Sequence, residues 1–436
     1  MMLEQTELGL VMIGGLIALL LGGMPIAFAL ALTGIVGLLL ARGWRASEFL
    51  LASFPYSGTA QLSLIIVPLF LFMGRMAFAS GLSVKAFDAA RALVGRVSGG
   101  LAIASVFACA GFATVSGSSV ATAATMARIA IPEMLASGYG KRLAAGSVAA
   151  GGTLGVLIPP SGILVIYSIA TGASLTELLV AAVVPGVLTA VAYALGIWLM
   201  VRAKPELAPR SVAPPTSARR KLRALIESWE IALLFLIVMG SIYLGLATPT
   251  EADAVGAFVA LVIAAARSRG RRAAVLREGL VETGVATSSI FALVIGAGMF
   301  SLGLSTTQIP QDVAAFLVGL ELPPTALLVV ILIPFLVLGA FIDPLSMILL
   351  TMPVVFPVIE RIGVDPILFG ILVTKTREIG VITPPVGLNV FVVKSAVPDL
   401  PIGDAFRGAF PFVVMELILI GVLIAFPVLT LGLLPR

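Results

Sequence analysis

Histidine is absent from this chain of 436 residues. Its absence removes imidazole general acid–base catalysis and every His-ligated metal site. A single cysteine, Cys109, leaves no internal disulfide. Its apolar neighbours Phe107, Ala108 and Ala110 read it as a small buried hydrophobe. No GxxxxGK[ST] run occurs, which excludes ATP hydrolysis through a phosphate loop, so energy must come from an ion gradient or a partner. Charge is scarce as well: 11% of residues are charged against 60% hydrophobic, and the mean hydropathy is +1.16. So few charges cannot cover a soluble surface. The net charge of +5 therefore reads as basic loops on one membrane face, and no nucleic-acid partner is expected. Glu4 and Glu7 stand where a secretory signal would carry Lys or Arg, which argues against a cleaved signal.

What fills the chain is apolar stretches of spanning length, repeated twice. Gly155-Val-Leu-Ile-Pro159-Pro160-Ser-Gly162 returns as Gly380-Val-Ile-Thr-Pro384-Pro385-Val-Gly387, each matched pair 225 residues apart. At the same shift Pro132 falls on Pro357, Gly138 on Gly363 and Ser118 on Asp343. The expected fold is an all-α polytopic membrane protein of two inverted-topology repeats. Each repeat holds about five spans, one of them broken at Pro-Pro, and one re-entrant hairpin. The first repeat covers 1–201, with its hairpin at about 99–136 and its broken helix at about 143–172. The second covers 224–436, with its hairpin at about 324–360 and its broken helix at about 367–397. Amphipathic stretches at 46–56 and 271–282 precede the spans at 62–79 and 286–304 and should lie along the interface. Gly14-Gly15, Gly22-Gly23 and Gly151-Gly152 suit close packing, and Trp44, Trp198 and Trp229 suit interfacial anchors.

Residues 202–223 are rich in Pro, Ser and Arg and read as a solvated linker. Arg202, Lys204, Arg210, Arg219, Arg220, Lys221 and Arg223 face only Glu206 there, which predicts a cytoplasmic location. With the N-terminus periplasmic, the basic segments 80–98, 137–142, 202–223, 267–277 and 394–407 share the cytoplasmic side. Arg42, Arg45, Arg361 and Arg436 are left outside, and Arg42 and Arg45 fit that side poorly. The segment 80–98 carries Lys85, Arg91 and Arg96, whereas its counterpart 305–323 carries no basic residue, as an inverted repeat requires.

Two interruptions per half fall at membrane depth. One is the hairpin tip, Thr114-Val-Ser116-Gly117-Ser118-Ser119 and Phe341-Ile-Asp343-Pro344-Leu-Ser346; the other is the Pro-Pro break. Proline frees carbonyls from helix bonding, glycine lets backbone approach, and hydroxyls add oxygen ligands. Unsatisfied carbonyls in hydrocarbon need a bound group, and a desolvated cation such as Na+ fits them. Half-helix N-termini nearby suit a carboxylate. Asp343 is a cation ligand or a polar group of the substrate region, or else the N-cap of the following arm. Lys375 and Arg377 either draw in an anion or snorkel and pair with Glu378. Arg128, Glu133, Lys141 and Arg142 read as interfacial. Ser116 and Ser118 have no His or Lys base, so no enzyme is expected.

With these motifs in view, the chain resembles the large membrane subunit of tripartite ATP-independent periplasmic (TRAP) transporters nearly end to end. The resemblance is carried by Ser116-Gly-Ser-Ser-Val-Ala-Thr-Ala-Ala-Thr125, Ile131-Pro-Glu-Met134, Ala149-Ala-Gly-Gly-Thr-Leu-Gly-Val-Leu-Ile-Pro-Pro-Ser161 and Glu378-Ile-Gly-Val-Ile-Thr-Pro-Pro-Val-Gly-Leu-Asn389. It implies Na+-coupled uptake of a small organic acid across the bacterial inner membrane by an elevator-type movement. It implies two partners beyond the lipid bilayer: a small TRAP membrane subunit and a periplasmic substrate-binding protein. It places one Na+ among Ser116, Ser119, Gly155, Ile158 and Pro160. A second falls among Gly339, Asp343, Gly380, Thr383 and Pro385. The run Lys375-Thr-Arg377 departs from the family, whose members commonly carry Asn and an apolar residue there. Between the tips, the substrate carboxylate is expected near Ser118, Ser161, Thr383 and Asn389, with Lys375 and Arg377 as further candidates. The rival readings are a stand-alone ion-coupled carrier of the same architecture and, from another class, a channel.

Overall fold

The computed structural model describes residues 5–209 and 218–434, and among these every regular element is helical. Among the described residues eight helices are long and apolar enough to cross a membrane, or up to ten if each of two bent pairs counts as one span. Helices are what an apolar chain must form in lipid, because they satisfy their own backbone groups.

The first half opens with Gln5–Leu21 and Ile26–Ser57. The latter is interrupted at Gly43, whose φ of 74° is open to glycine but strained for residues with a side chain. Beyond it the arm turns aside with Trp44, Phe49 and Tyr56 exposed. Leu62–Ala79 and the arm Leu82–Val94 lead into the first hairpin, Gly100–Ser116 and Ser119–Ala136. The first broken helix, Lys141–Leu157 and Gly162–Thr171, bends by 44°, and Leu175–Ala203 closes the half. At the hairpin base the Leu101 N–H donates to the Tyr139 hydroxyl over 3.1 Å. Burial pushes that phenol up, and the Leu101 bond offsets part of the rise.

The second half begins with Trp229–Phe235, a π-helical turn Leu236–Gly240, and Ser241–Tyr243. Pro249–Arg267, Arg272–Leu304 and Ile309–Val318 follow. Then come the second hairpin, Pro324–Phe341 and Pro344–Arg361, and the second broken helix, Pro366–Gly380 and Leu388–Ala396. Ile402–Ala425 and Val428–Leu431 end the described chain.

Two expectations need correction. The stretch 271–282 is not a separate interfacial segment, since Arg272–Leu304 runs unbroken for 33 residues. The first copy breaks after Ser57, where Pro55 and Gly58 flank the stop, while the second offers the lone Gly284, which weakens a helix by about 1 kcal/mol without ending it. The linker 202–223 is also not wholly irregular: Ala218–Glu227 is helical. Leu222, Leu225 and Ile226 supply helical apolar spacing there. Arg210 and Arg436 lie outside the described residues.

Packing between the halves is reciprocal. The 26–42 helix lies along Arg272–Leu304, and Pro249–Arg267 lies along Leu62–Ala79, the same pair with the copies exchanged. Likewise Gly162–Thr171 packs on Pro344–Arg361, and Leu388–Ala396 on Ser119–Ala136. Glycine permits the close approaches: a Cβ on Gly34 would overlap the Met299 carbonyl, and one on Gly256 would come within 2.8 Å of Met73 Sδ. At one end of the bundle Glu230 holds both Lys85 and Arg267, Arg91 pairs with Glu133, and Arg142 with Asp404 at 2.8 Å. Basic segments far apart in sequence thus share one end, and Glu133 and Arg142 are engaged there.

Candidate ion and substrate site

The first junction forms where the hairpin tip meets the first break. Gly100–Ser116 stops at Gly117, whose φ is 53°, and an added Cβ there would fall inside the Phe70 ring. Ser118 is extended and caps the next helix, accepting from the Ala121 N–H at 3.3 Å. The Ser116 and Thr122 hydroxyls meet at 2.7 Å. Gly155 faces this tip so closely that a Cβ would lie 2.6 Å from the Ser118 carbonyl oxygen and 2.7 Å from Thr122 Oγ1.

Pro159 and Pro160, joined by a cis bond, carry no N–H, so Gly155 and Val156 lose the donors four residues on. Among the described residues no donor reaches the carbonyls of 155–160. Buried Ser161 Oγ likewise has no partner. Buried polar groups are paired nearly everywhere in proteins, so oxygens left in this state, beside two hydroxyls, make a set a monovalent cation fits.

The second junction is similar in backbone and different in detail. A Cβ on Gly380 would lie 2.6 Å from Ala340 N, and one on Gly339 would lie 3.0 Å from the Arg377 carbonyl oxygen, so the second tip rests on the second break. Pro384–Pro385 is also cis. Here, however, the Gly380 carbonyl accepts from the Thr383 N–H and hydroxyl at 3.3 and 3.2 Å, and Val381 accepts from the Asn389 N–H at 3.0 Å. Asp343 Oδ1 accepts from Leu345 and Ser346 N–H at 3.1 and 3.0 Å, so the capping role exists. Residues 384–386 are exposed and Thr383 half-buried, whereas Gly155, Pro160 and Ser161 are buried.

The junctions are linked. Asn389 Nδ2, from the second break, donates to the Ala149 carbonyl on the first broken helix at 3.2 Å. Its buried Oδ1 has no partner. Ser119 of the first tip lies beside Glu378 of the second broken helix. Arg377 is wholly buried: its Nη1 pairs with Glu378 Oε1, while Nε and Nη2 have no acceptor.

Lys375 lies elsewhere. Its Nζ is 2.6 Å from Glu416 Oε2 and 2.7 Å from Thr189 Oγ1, and Tyr193 donates to Glu416 Oε1 at 2.7 Å. The structure therefore brings Ser116, Ser118, Ser119, Gly155, Asn389 and Glu378 together and sets Lys375 aside. Sequence reasoning missed Thr122, Phe70, Tyr193 and Glu416. A lone carboxylate inside the apolar run 409–425 was the available signal for Glu416.

A polytopic helical bundle with paired helix breaks is the architecture of a membrane transport protein. The family profile described as "Tripartite ATP-independent periplasmic transporter, DctM component" matches residues 13–429. The chain is 38% identical over 378 residues to the C4-dicarboxylate TRAP transporter large permease protein DctM of Pseudomonas aeruginosa, covering 87% of each chain. It is 33% identical to the 2,3-diketo-L-gulonate TRAP transporter large permease protein YiaN of Escherichia coli, covering 96% of this chain and 97% of that one. It is 32% identical to the ectoine TRAP transporter large permease protein TeaC of Halomonas elongata, covering 97% of each. This chain belongs to the DctM component family of TRAP transporters and is a multi-pass membrane protein, and its curated relatives are named as transporter permeases. In fold it is similar to the crystal structure of the Alcanivorax borkumensis YdaH transporter, with a TM-score of 0.63 at 18% identity, covering 88% of this chain and 89% of that one.

Proposed function

We propose that this chain is the transport subunit of a Na+-coupled TRAP system that takes up a small organic acid across the inner membrane. A periplasmic substrate-binding protein delivers the acid, and a small membrane subunit completes the permease. The observation that carries the reading is the first junction, where six consecutive backbone carbonyls have no donor and Gly155, the first of them, abuts a hydroxyl-rich tip. One Na+ is held by Ser116, Ser119, Gly155, Ile158 and Pro160, with Thr122 added. A second is held by Gly339, Asp343, Gly380, Thr383 and Pro385. The carboxylate sits between the tips at Ser118, Ser161, Thr383 and Asn389. Arg377, whose Nε and Nη2 have no acceptor among the described residues, adds to that set.

The reciprocal packing supports two repeated halves, with 1–201 and 224–436 as the units, and the excess of Lys and Arg in 202–223 favours that linker in the cytoplasm and the N-terminus outside. Spans 26–42, 62–79, 249–267 and 272–304 pack mainly on one another and serve as the frame past which the hairpins and broken helices slide. Each Na+ entering gains about 2.3 kcal/mol per 100 mV, so two ions with one monoanion make uptake electrogenic. The test is reconstitution with both partners under an imposed Na+ gradient and potential, following a monocarboxylate for the response to both and succinate, whose two charges two Na+ would balance, for the response to Na+ alone. Uptake that ignores both gradients overturns the mechanism, and uptake without the binding protein favours the stand-alone carrier.

A further inference from the structure

We infer that helix Ala218–Glu227 and the loop 267–272 together form a docking surface for anionic phospholipid headgroups. The helix reads Ala218-Arg-Arg-Lys-Leu-Arg-Ala-Leu-Ile-Glu227. Lys221, Ala224 and Ser228 are half-buried where it packs on Leu82–Val94. The other apolar side chains face outward: Leu222 is 59%, Leu225 45%, Ile226 60% and Trp229 53% exposed. This stripe belongs to a segment, Lys221–Glu227, that leaves the apolar helix Trp229–Tyr243 at 52°. A short helix set off steeply from a span, apolar along one side and basic along another, is placed to lie in a membrane interface.

A second basic segment arrives by folding. Glu230, one residue past Trp229, binds Lys85 and also Arg267, which carries the loop with Arg269, Arg271 and Arg272 to the same end of the bundle. Of the acids nearby, Glu230 is engaged by those two cations, Glu227 by Arg223 and Glu278 by Arg271, while Asp88 on Leu82–Val94 is exposed. Arg219, Arg269 and Arg272 remain exposed, with Lys221 half-exposed beside them, so the surface keeps a positive excess that those acids do not neutralise. An acidic protein would answer the charge, but the outward stripe at the foot of a span needs acyl chains, and an anionic lipid supplies both.

The test uses the full chain with its small membrane subunit, purified and exchanged into nanodiscs of phosphatidylcholine with or without phosphatidylglycerol. Retained lipid is counted by native mass spectrometry. Phosphatidylglycerol should be preferred by about tenfold at low salt and lose most of that preference near 1 M salt, where charges are screened beyond about 3 Å. The combined Arg219→Gln, Lys221→Gln, Arg223→Gln and Arg269→Gln variant should melt as the parent does in phosphatidylcholine discs and lose the preference. An unchanged preference in the variant, or none in the parent, overturns the inference. So does a variant that sheds the small subunit while keeping phosphatidylglycerol, since the surface would then be a protein interface.

Discussion

Adding one methyl group at Gly155 tests the first junction directly. The new Cβ would lie 2.6 Å from the Ser118 carbonyl oxygen and 2.7 Å from Thr122 Oγ1, against about 3.4 Å for an ordinary contact. Backbone and a hydroxyl already engaged with Ser116 cannot swing away, so tip and break must part by roughly 0.8 Å. Overpacking of this kind costs about 1–3 kcal/mol. With no cation bound the tip can drift and relieve the strain, whereas a bound cation requires the oxygens on both sides to close. The cost should therefore appear as lost Na+ affinity, about 5–150-fold at the usual conversion. Gly111→Ala is the control, because it lies in the same hairpin and nothing stands within 4 Å of its added Cβ. The assay is thermal unfolding of the purified complex against Na+ concentration, with K+ holding ionic strength constant. Gly155→Ala should move the Na+ midpoint upward, and Gly111→Ala should leave it unchanged. If Gly155→Ala lowers the melting temperature equally with and without Na+, the junction is a packing contact and the reasoning fails.

Four further outcomes follow from the same geometry. Asp343→Asn keeps a good N-cap, so stability should change by a few tenths of a kcal/mol while Na+ affinity falls more than tenfold; an unchanged Na+ titration leaves Asp343 as a cap alone. Lys375→Met or Glu416→Leu alone strands a buried charge and should destabilise by about 3–5 kcal/mol, most of it recovered in the double variant, as a double-mutant cycle on melting would show. Asn389→Ala removes the donor to the Ala149 carbonyl and should cost about 1–3 kcal/mol, read by denaturation, with weaker substrate uptake beside it. Arg377→Met combined with Glu378→Gln, which leaves no stranded charge, should raise the substrate concentration for half-maximal uptake about tenfold or more while Na+ still protects against unfolding; loss of both together would place Arg377 in the structural core instead.

Much of this was legible because breaks are written in residue types. Pro159-Pro160 and Pro384-Pro385 mark helix ends wherever they fall, and Gly117 and the Asp343-Pro344 pair mark the two tips, so helix termini could be placed closely. Reciprocal packing was implied only loosely by the 225-residue shift, since a repeat says nothing of which faces meet. The unbroken Arg272–Leu304 was misread because similarity to the first copy outweighed the missing proline. The Lys375, Glu416, Tyr193 and Thr189 cluster escaped because its members lie on three separate helices with no shared motif. Arg377 and Glu378 were visible as charges, but their fate depended on which side chains faced them, which helical spacing does not disclose.

The halves differ most in buried charge, and the difference bears on coupling. Lys375, Arg377, Glu378 and Glu416 stand where the 225-residue shift puts Ala150, Gly152, Thr153 and Val191, so four ionisable groups are concentrated in one copy. Burying each costs several kcal/mol unless it is paired, and pairing is what is found, Lys375 with Glu416 and Arg377 with Glu378. With both pairs ionised the local sum would be zero, and the site would exert no net pull on an anion. What it offers is direction, through Arg377 Nε and Nη2. A carboxylate accepted there would bring an unbalanced negative charge into low dielectric, and a cation at the adjoining break would balance it. At about 5 Å and an effective dielectric near 20 that attraction is roughly 3 kcal/mol, enough to make each ligand bind about a hundredfold better when the other is present. On the proposed Na+-coupled reading, co-binding would need no moving gate to enforce it: a neutral buried site that accepts the anion weakly by itself would make the cation a condition of transport.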